Sequence, residues 1–263
     1  MRKIGILLIP LMLTVVIICF FVLPTEVYAA GENNLTFKLN DDGESYAVTD
    51  CNSSARSDLS IPETYSDKPV TSIGDYAFSG CYNLTSITIP DSITFIGEGA
   101  FYGCKSITSI TIPNGVAQIS RKTFEGCSNL TRVIIPDSVT DIGWYAFYEC
   151  DKLCSITIPD RVTDIGGYAF YGCDNLANIT IPDSVICIDE YAFFGCGDLR
   201  SVTFGQCITT IGKLAFWCCY DLTSITIPAS VKQIYGYAFG YCGIKEIFLT
   251  VVNHPYPKMH FAK

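Results

Sequence analysis

The chain has 263 residues and a formal net charge of −9, and 49% of its residues are hydrophobic, which is enough for a sizeable core. The acidic balance argues against nucleic acid and anionic membranes as partners, because both need basic patches on the protein. The 14 cysteines form no Cys-x-x-Cys pair and the two histidines, His254 and His260, both lie near the C-terminus, so no metal site is predicted.

The N-terminus has the pattern of an export signal. The basic start Met1–Lys3 precedes a long apolar run, residues 4–23, and Val27-Tyr28-Ala29 offers the small residues that a signal peptidase reads. We predict a signal peptide over residues 1–29 and an exported chain. The alternative is an uncleaved membrane anchor, since the run is long enough to span a bilayer, and the remainder would still face outside.

Residues 30–58 are predicted to form an N-terminal cap. Leu35–Leu39 and Ser45–Thr49 have the composition of two strands around the turn Asn40–Gly43, so we expect a β-hairpin that covers the first open edge of a sheet. A calcium loop at the acidic turn would need more ligands at fixed spacing. Residues 63–69 then add a loop of about five residues to the first coil.

The rest of the chain is a repeat with a fixed period of 23 residues. A Phe marks each unit, and a Cys follows it three places later, as in Phe78 and Cys81; the later Phe residues are Phe101, Phe124, Phe147, Phe170, Phe193, Phe216 and Phe239. Such a period indicates a solenoid in which each coil stacks on the next. We place about eight coils in residues 59–250 and a C-terminal tail without the pattern in residues 251–263.

One coil contains a short strand, a proline that ends the strand, and a corner. Ile87-Thr88-Ile89 alternates as a half-buried strand does, and Pro90 ends it because proline cannot donate to a ladder. Gly97 indicates either a backbone angle that side chains resist or a close approach of two coils. The segment at Ala100-Phe101 is too short for a helix and is predicted to be a helical or 3₁₀ corner.

The pattern resembles a known repeat family. The run from Leu84 through Ile87-x-Ile89-Pro90, Ile96-Gly97 and Ala100-Phe101 to Gly103-Cys104 is similar to the BspA-like leucine-rich repeats, which occur in surface and secreted bacterial proteins. The resemblance covers about residues 59–249. It implies a right-handed, mostly β and coil solenoid, with a parallel sheet on one face and short strands or 3₁₀ or helical turns on the other. Several family members are adhesins.

Cysteines in an exported chain usually pair, but the Cys column favours another interpretation. Stacked residues have parallel Cβ vectors, which suits disulfides poorly, so we favour small buried thiols over bridges.

The sequence contains no motif of a known catalytic site. No phosphate loop, metalloprotease helix or nucleophile elbow is present, so we predict no enzyme activity and no cofactor.

Two sets of residues are candidates for partner binding. The outward strand positions form a Ser column and a Thr column, and the first set breaks this uniformity: Arg132, Ile134, Asn178 and Arg200. The second set is aromatic and follows the marker Phe: Tyr148, Tyr171 and Trp217. Corner packing is an ordinary explanation for the aromatic set, and an exposed sugar or protein platform is the functional one.

These observations predict a secreted or cell-surface, non-catalytic binding module. By the resemblance, its partner would be a host extracellular-matrix or surface protein, or a microbial surface protein, recognised in the manner of an adhesin. The alternative is a structural, self-associating envelope component with no specific ligand, because an open coil edge and uniform columns would suit end-to-end stacking.

Overall fold

The computed structural model describes residues 29–30, 34–52, 55 and 57–250, which form a β-solenoid of about nine turns. This part of the chain contains no helix, and therefore none that is long and apolar enough to cross a membrane. The predicted signal peptide, apart from Ala29, and the C-terminal tail with both histidines lie outside the described residues.

The N-terminal residues form an antiparallel hairpin. Strand β1 (Ala29–Ala30) pairs with β2 (Leu35–Leu39), which pairs antiparallel with β3 (Tyr46–Cys51). At the turn, the Asp42 carboxylate accepts hydrogen bonds from the N–H of Glu44 (2.8 Å) and of Ser45 (3.1 Å), and from the Ser45 hydroxyl (2.9 Å). These bonds lower the pKa of Asp42 and belong to a tight turn.

Each coil adds short strands to one or both of two parallel ladders. The first ladder contains β4 (Ser57–Ser60), β7 (Leu84–Thr88), β9 (Ser109–Thr111), β11 (Arg132–Ile134), β14 (Asn178–Thr180), β16 (Ser201–Thr203), β18 (Ser224–Ile227) and β20 (Glu246–Leu249). The second contains β6 (Lys68–Ile73), β8 (Phe95–Ile96), β10 (Gln118–Ile119), β12 (Asp141–Ile142), β13 (Asp164–Ile165), β15 (Cys187–Ile188), β17 (Thr210–Ile211) and β19 (Gln233–Ile234). The hairpin extends the second ladder, because β3 pairs parallel with β6.

The extra loop before β6 is itself a small hairpin. Strand β5 (Thr64–Tyr65) pairs antiparallel with β6, and the two turn residues, Ser66 and Asp67, both have positive φ (47° and 62°), as a type I′ turn requires. The Tyr65 ring stacks on Phe37 at 4.2 Å. The loop therefore joins the N-terminal hairpin to the first coil.

The corner of each coil is built from turns whose backbone bonds alternate. In the central coil, the N–H of Phe147 donates to the Ala169 carbonyl of the next coil (2.7 Å), whereas the N–H of Tyr148 donates back to the Tyr145 carbonyl (3.2 Å). Tyr145 and Glu149 take positive φ (59° and 52°). The predicted 3₁₀-type bonds are thus present at every second N–H, and the others form a third coil-to-coil ladder.

Gly97 and Gly172 illustrate two reasons for glycine. A Cβ on Gly97 would lie 2.6 Å from the Asp75 backbone nitrogen, so this glycine allows the close approach of two coils. Gly172 instead has a φ of +66° and room for a Cβ, 3.6 Å from the nearest side-chain atom. Of the two explanations predicted for Gly97, the structure shows the close approach.

The core is a column of stacked rings beside a column of thiols. The marker Phe rings from Phe78 to Phe239 stack with centroids 5.0 to 5.5 Å apart. All thirteen cysteines in the described residues are free thiols, the form favoured from the sequence. The thiols of the column donate to backbone carbonyls of the preceding coil, as Cys150 does to Phe124 (3.2 Å).

Candidate functional site

The outward face of the first ladder is a nearly uniform polar surface. In each three-residue strand of this ladder (β9, β11, β14 and β16), the middle residue is buried and its two neighbours are exposed. These exposed neighbours are the predicted Ser and Thr columns, and Ile134 replaces Thr with 44% of its surface exposed. We call this surface the strand face. It presents hydroxyl groups over seven coils, and its composition changes at only a few positions.

The strand-face set consists of Arg132, Ile134, Asn178 and Arg200, all of which are exposed. The first ladder is interrupted between β7 and β9 and between β16 and β18, where strands are present but unpaired. Three residues of the set flank a wider gap, where one coil of residues 57–250 adds no strand to this ladder. Ser155 makes one isolated bridge with Arg132, and residues 156–158 form no strand, so β11 and β14 are not joined through the intervening coil. The irregular side chains and the irregular backbone therefore occur at the same place on the strand face.

The polar side chains of this set differ in how many of their hydrogen-bond donors and acceptors already have a partner within the chain. The Ser201 hydroxyl donates to the Asn178 side-chain oxygen at 2.7 Å, which leaves the amide NH₂ of Asn178 for a partner. The Nε of Arg200 lies 3.4 Å from the Asp221 carboxylate. Within the described part of the chain, no carboxylate forms an ion pair with Arg132. These groups are hydrogen-bond donors and suit carboxylates or backbone carbonyls.

The corner set consists of Tyr148, Tyr171 and Trp217, all half-buried. Tyr171 is stacked at 4.7 Å on Tyr148 on one side and at 4.7 Å on Phe194 on the other. Both ring faces of Tyr171 are therefore covered, and only the ring edge and hydroxyl reach solvent. This packing removes the ring faces that a sugar would stack on at this position, and it agrees with the corner-packing explanation.

A second aromatic column runs beside the first. Tyr145, Tyr168 and Tyr191 stack at 4.8 and 4.6 Å, and each contacts a ring of the first column, as Tyr168 does Tyr171 at 5.9 Å. Burial, followed by the charge of Glu149, raises the pKa of Tyr148 to about 12. Its hydroxyl therefore stays protonated at neutral pH and can donate a hydrogen bond.

The strand-face set and the corner set occupy different segments of each coil. The strand-face residues lie on the first-ladder strands or, for Arg200, directly before one, and the corner set lies on the turns. The structure also exposes residues that the sequence did not single out. Trp144 is 43% exposed, and one side of its indole packs on the backbone of Gly166 and Gly167 in the next coil. The sequence signal for this contact is the pair of consecutive glycines, Gly166 and Gly167, which follows Trp144 by one repeat period.

Metal binding has no support in the described residues, because they contain no group of three His, Cys, Asp or Glu side chains that could hold an ion. Among the described residues, the groups whose pKa is raised are cysteine thiols, tyrosine hydroxyls and the carboxyl groups of Glu125 and Asp174. Burial is the first cause for both carboxylates. No constellation of nucleophile, base and orienting group is seen among them.

Stacked coils with a 23-residue period, two parallel ladders and an exposed strand face define a β-solenoid repeat protein. The BspA type leucine rich repeat region matches residues 49–173 and 140–256 of the chain, with 6 copies. The chain belongs to this family of leucine-rich repeat proteins, and the predicted repeat class is confirmed.

Solved structures with similar folds are bacterial. The T. pallidum leucine rich repeat protein TpLRR is 28% identical with a TM-score of 0.67, and the match covers 73% of this chain and 89% of that chain. A leucine rich cell surface protein from Faecalibacterium prausnitzii is 23% identical with a TM-score of 0.37, covering 86% and 96%. The pneumococcal vaccine antigen PcpA is 18% identical with a TM-score of 0.38, covering 85% and 82%. No curated protein matches the sequence.

Proposed function

We propose that the chain is an exported, non-catalytic binding module that docks a protein partner on its strand face. The observation that carries this proposal is the coincidence of Arg132, Ile134 and Asn178 with the described coil that adds no strand to the first ladder, in the middle of a surface rich in hydroxyl groups. Leucine-rich repeats present such a face over many coils, which gives a large and rigid contact area.

Export to the cell surface or medium, and adhesin-like recognition of a host or microbial surface protein, are parts of the same proposal. The apolar N-terminal run and its cleavage pattern support export. Export is tested by expressing the chain in a secreting bacterial host and sequencing the N-terminus of the mature protein. A mature chain that begins at Ala30 supports the signal peptide, and retention of Met1 in the membrane fraction supports the anchor instead.

Binding is tested with the purified full-length chain, held in mild detergent because of its apolar N-terminal run. It is applied to an array of matrix, plasma, mucin and microbial surface proteins. A strand-face variant carries four changes: Arg132→Ser, Ile134→Thr, Asn178→Ser and Arg200→Thr. A matched control changes exposed residues of similar types elsewhere: Asn114→Ser, Arg161→Ser, Ile186→Thr and Lys213→Thr.

We expect the strand-face variant to lose binding that the control retains. Binding that survives the strand-face changes and is lost when Tyr148 and Trp217 are replaced by Ser would transfer the site to the corner set. A protein that binds no array member in any form counts against the binding module.

Self-association is the second candidate function, and one observation favours it. Large side chains that are more than half exposed concentrate on the last two described coils, namely Tyr220, Tyr235, Tyr237, Tyr241 and Phe248. Exposed aromatic groups at one end of a stack suit a second copy. Sedimentation velocity over a hundredfold concentration range tests this, since a self-associating chain grows in size and a Tyr241→Ser, Phe248→Ser variant does not.

A further inference from the structure

The strand face has a different charge from the rest of the molecule. The chain carries 26 acidic and 17 basic residues. Yet in the seven coils from Leu84 to Ile227, none of the exposed or partly exposed positions equivalent to Thr85, Ser86 and Thr88 is acidic, and two of them are arginines, Arg132 and Arg200. Acidic residues reappear on the first ladder only at its two ends, as Asp58 and Glu246.

The acidic side chains lie on the other segments of the same coils. Asp141 and Asp164 point outward from the second ladder, and the turns after the first ladder expose Asp137, Asp160 and Asp183. Low β propensity explains why Asp is rare in strands, but it does not explain the second ladder, where two adjacent strands carry it. The molecule therefore has one cationic face and an acidic remainder.

The two arginines have a defined separation. They stand three coils apart at adjacent positions of the coil, since Arg132 is equivalent to Ser86 and Arg200 to Thr85. Three coils correspond to roughly 14 Å along the stack at about 4.8 Å per coil. Arg132 forms no ion pair within the described residues, and Arg200 shares only its Nε with Asp221, at 3.4 Å. Guanidinium groups bind carboxylates through two parallel hydrogen bonds, so both side chains are available to acidic groups of a ligand.

We infer that the partner presents an extended acidic peptide segment to the strand face, with two carboxylates four residues apart that bind Arg132 and Arg200. An extended chain rises about 3.3 Å per residue and alternates its side chains, so residues i and i+4 point the same way at about 13 Å. Carboxylates at i and i+3 would point to opposite sides. The inference rests on the proposed function and adds the chemistry of the partner to it.

A broad anionic surface is a poorer fit than a peptide. The acidic remainder of the molecule would repel a lipid bilayer or a nucleic acid that extends beyond the strand face. A single extended segment meets only the strand face, where Ile134 lies beside Arg132 and provides apolar contact. Between the arginines, the hydroxyl groups of Ser155, Thr157 and Thr180 can donate hydrogen bonds to the carbonyls of its backbone or accept them from its N–H groups.

The test uses the full-length chain in mild detergent and three labelled eleven-residue peptides built from Thr and Ser. One peptide has Glu at positions 4 and 8, one has Glu at 4 and 7, and one has Gln at 4 and 8. Fluorescence anisotropy gives Kd at low salt and at 0.5 M salt. Exposed charge pairs contribute about 0.2–1 kcal/mol each. We therefore expect the first peptide to bind roughly 1.4- to 5-fold more tightly than the Glu 4 and 7 peptide, which loses one pair, and roughly 2- to 30-fold more tightly than the Gln peptide, which loses both, with the preference lost at high salt.

Three variants separate charge recognition from a merely structural effect. Arg132→Ser with Arg200→Thr should abolish the preference, whereas the control Arg161→Ser with Lys213→Thr should retain it. Asp221→Asn removes the carboxylate that competes for Arg200, so it should tighten binding of the first peptide roughly two- to threefold. A structural role for Asp221 would not produce tighter binding.

Several outcomes would overturn the inference. These are equal binding of all three peptides, no binding of any of them, or the same loss in the control as in the arginine variant. The proposed function is judged separately, by the protein array. A partner captured there through the strand face, without salt dependence or sensitivity to the arginines, would keep the binding module and reject its acidic ligand.

Discussion

Replacing Phe147 with alanine tests whether the ring column supports the stack of coils. The Phe147 side chain has 0% exposure and lies between Phe124 at 5.3 Å and Phe170 at 5.2 Å. Its removal leaves a cavity enclosed on both sides, so we expect the free energy of unfolding to fall by about 3–5 kcal/mol. Phe239 is the matched control, because it is 8% exposed and Phe216 is the one ring stacked on it in the described residues. Phe239→Ala should cost about half as much.

Urea unfolding measures the two losses, and native-state hydrogen exchange shows where each loss acts. Contacts in a solenoid join neighbouring coils only, so Phe147→Ala should speed exchange around Asp137–Ile158 and in the adjoining coils, and leave the hairpin β2–β3 unchanged. The reasoning is refuted if Phe239→Ala costs as much as Phe147→Ala. It is equally refuted if exchange rises uniformly along the chain.

Three further predictions concern glycine, the thiols and the N-terminal hairpin. Gly172→Ala should destabilise by about 1–2 kcal/mol through its positive φ alone, and Gly143→Ala should cost more in the same urea assay, because its Cβ would lie 2.8–2.9 Å from backbone atoms of the preceding coil. Burial raises the pKa of Cys127 from 9.0 to about 12, so the unfolded chain binds fewer protons than the folded one between these pH values. Stability should therefore be complete below pH 9 and fall as pH rises towards 12, by up to about 1.4 kcal/mol per pH unit for each such thiol, as urea midpoints at pH 8, 9 and 10 would show. Tyr65→Ala removes the stack on Phe37 and should speed hydrogen exchange in β2 and β3 before any other strand, whereas a uniform change would contradict the joining role of the loop.

The coil was predictable because its stacking contacts repeat with the period of the sequence. Phe147 stacks on the equivalent Phe124, and Cys150 donates to the Phe124 carbonyl, as the matching residues do in other coils, so one unit of sequence shows which side chains are buried in all of them. The corner was not predictable in the same way. Tyrosine has no preference for positive φ, and Tyr145 adopts it because the alternating backbone bonds between coils impose that turn.

The candidate site was predicted in part. The pattern of exposed Ser and Thr columns follows from the two-residue period of a strand, and the structure has that pattern. The gap in the first ladder could not be predicted, because residues 156–158 have the same amino acids, Ile-Thr-Ile, as residues 110–112. Likewise, the covered faces of Tyr171 depend on the exact stacking of rings from three coils, which spacing alone does not determine.

Stacking between coils restricts which amino acids can occupy most positions of a coil, but it leaves the exposed strand-face positions free to vary. Departures from Ser and Thr on the strand face therefore need an explanation other than folding. Thr and Ser suit a pleated surface, and Arg132 and Ile134 replace them without gaining burial or an ion pair in the described residues. An exposed Ile in place of Thr leaves apolar surface in water, which is unfavourable unless something covers it. The two changes stand on one strand, beside the gap, and on the face from which acidic residues are excluded. A partner that covers Ile134 and brings a carboxylate to Arg132 accounts for both changes together.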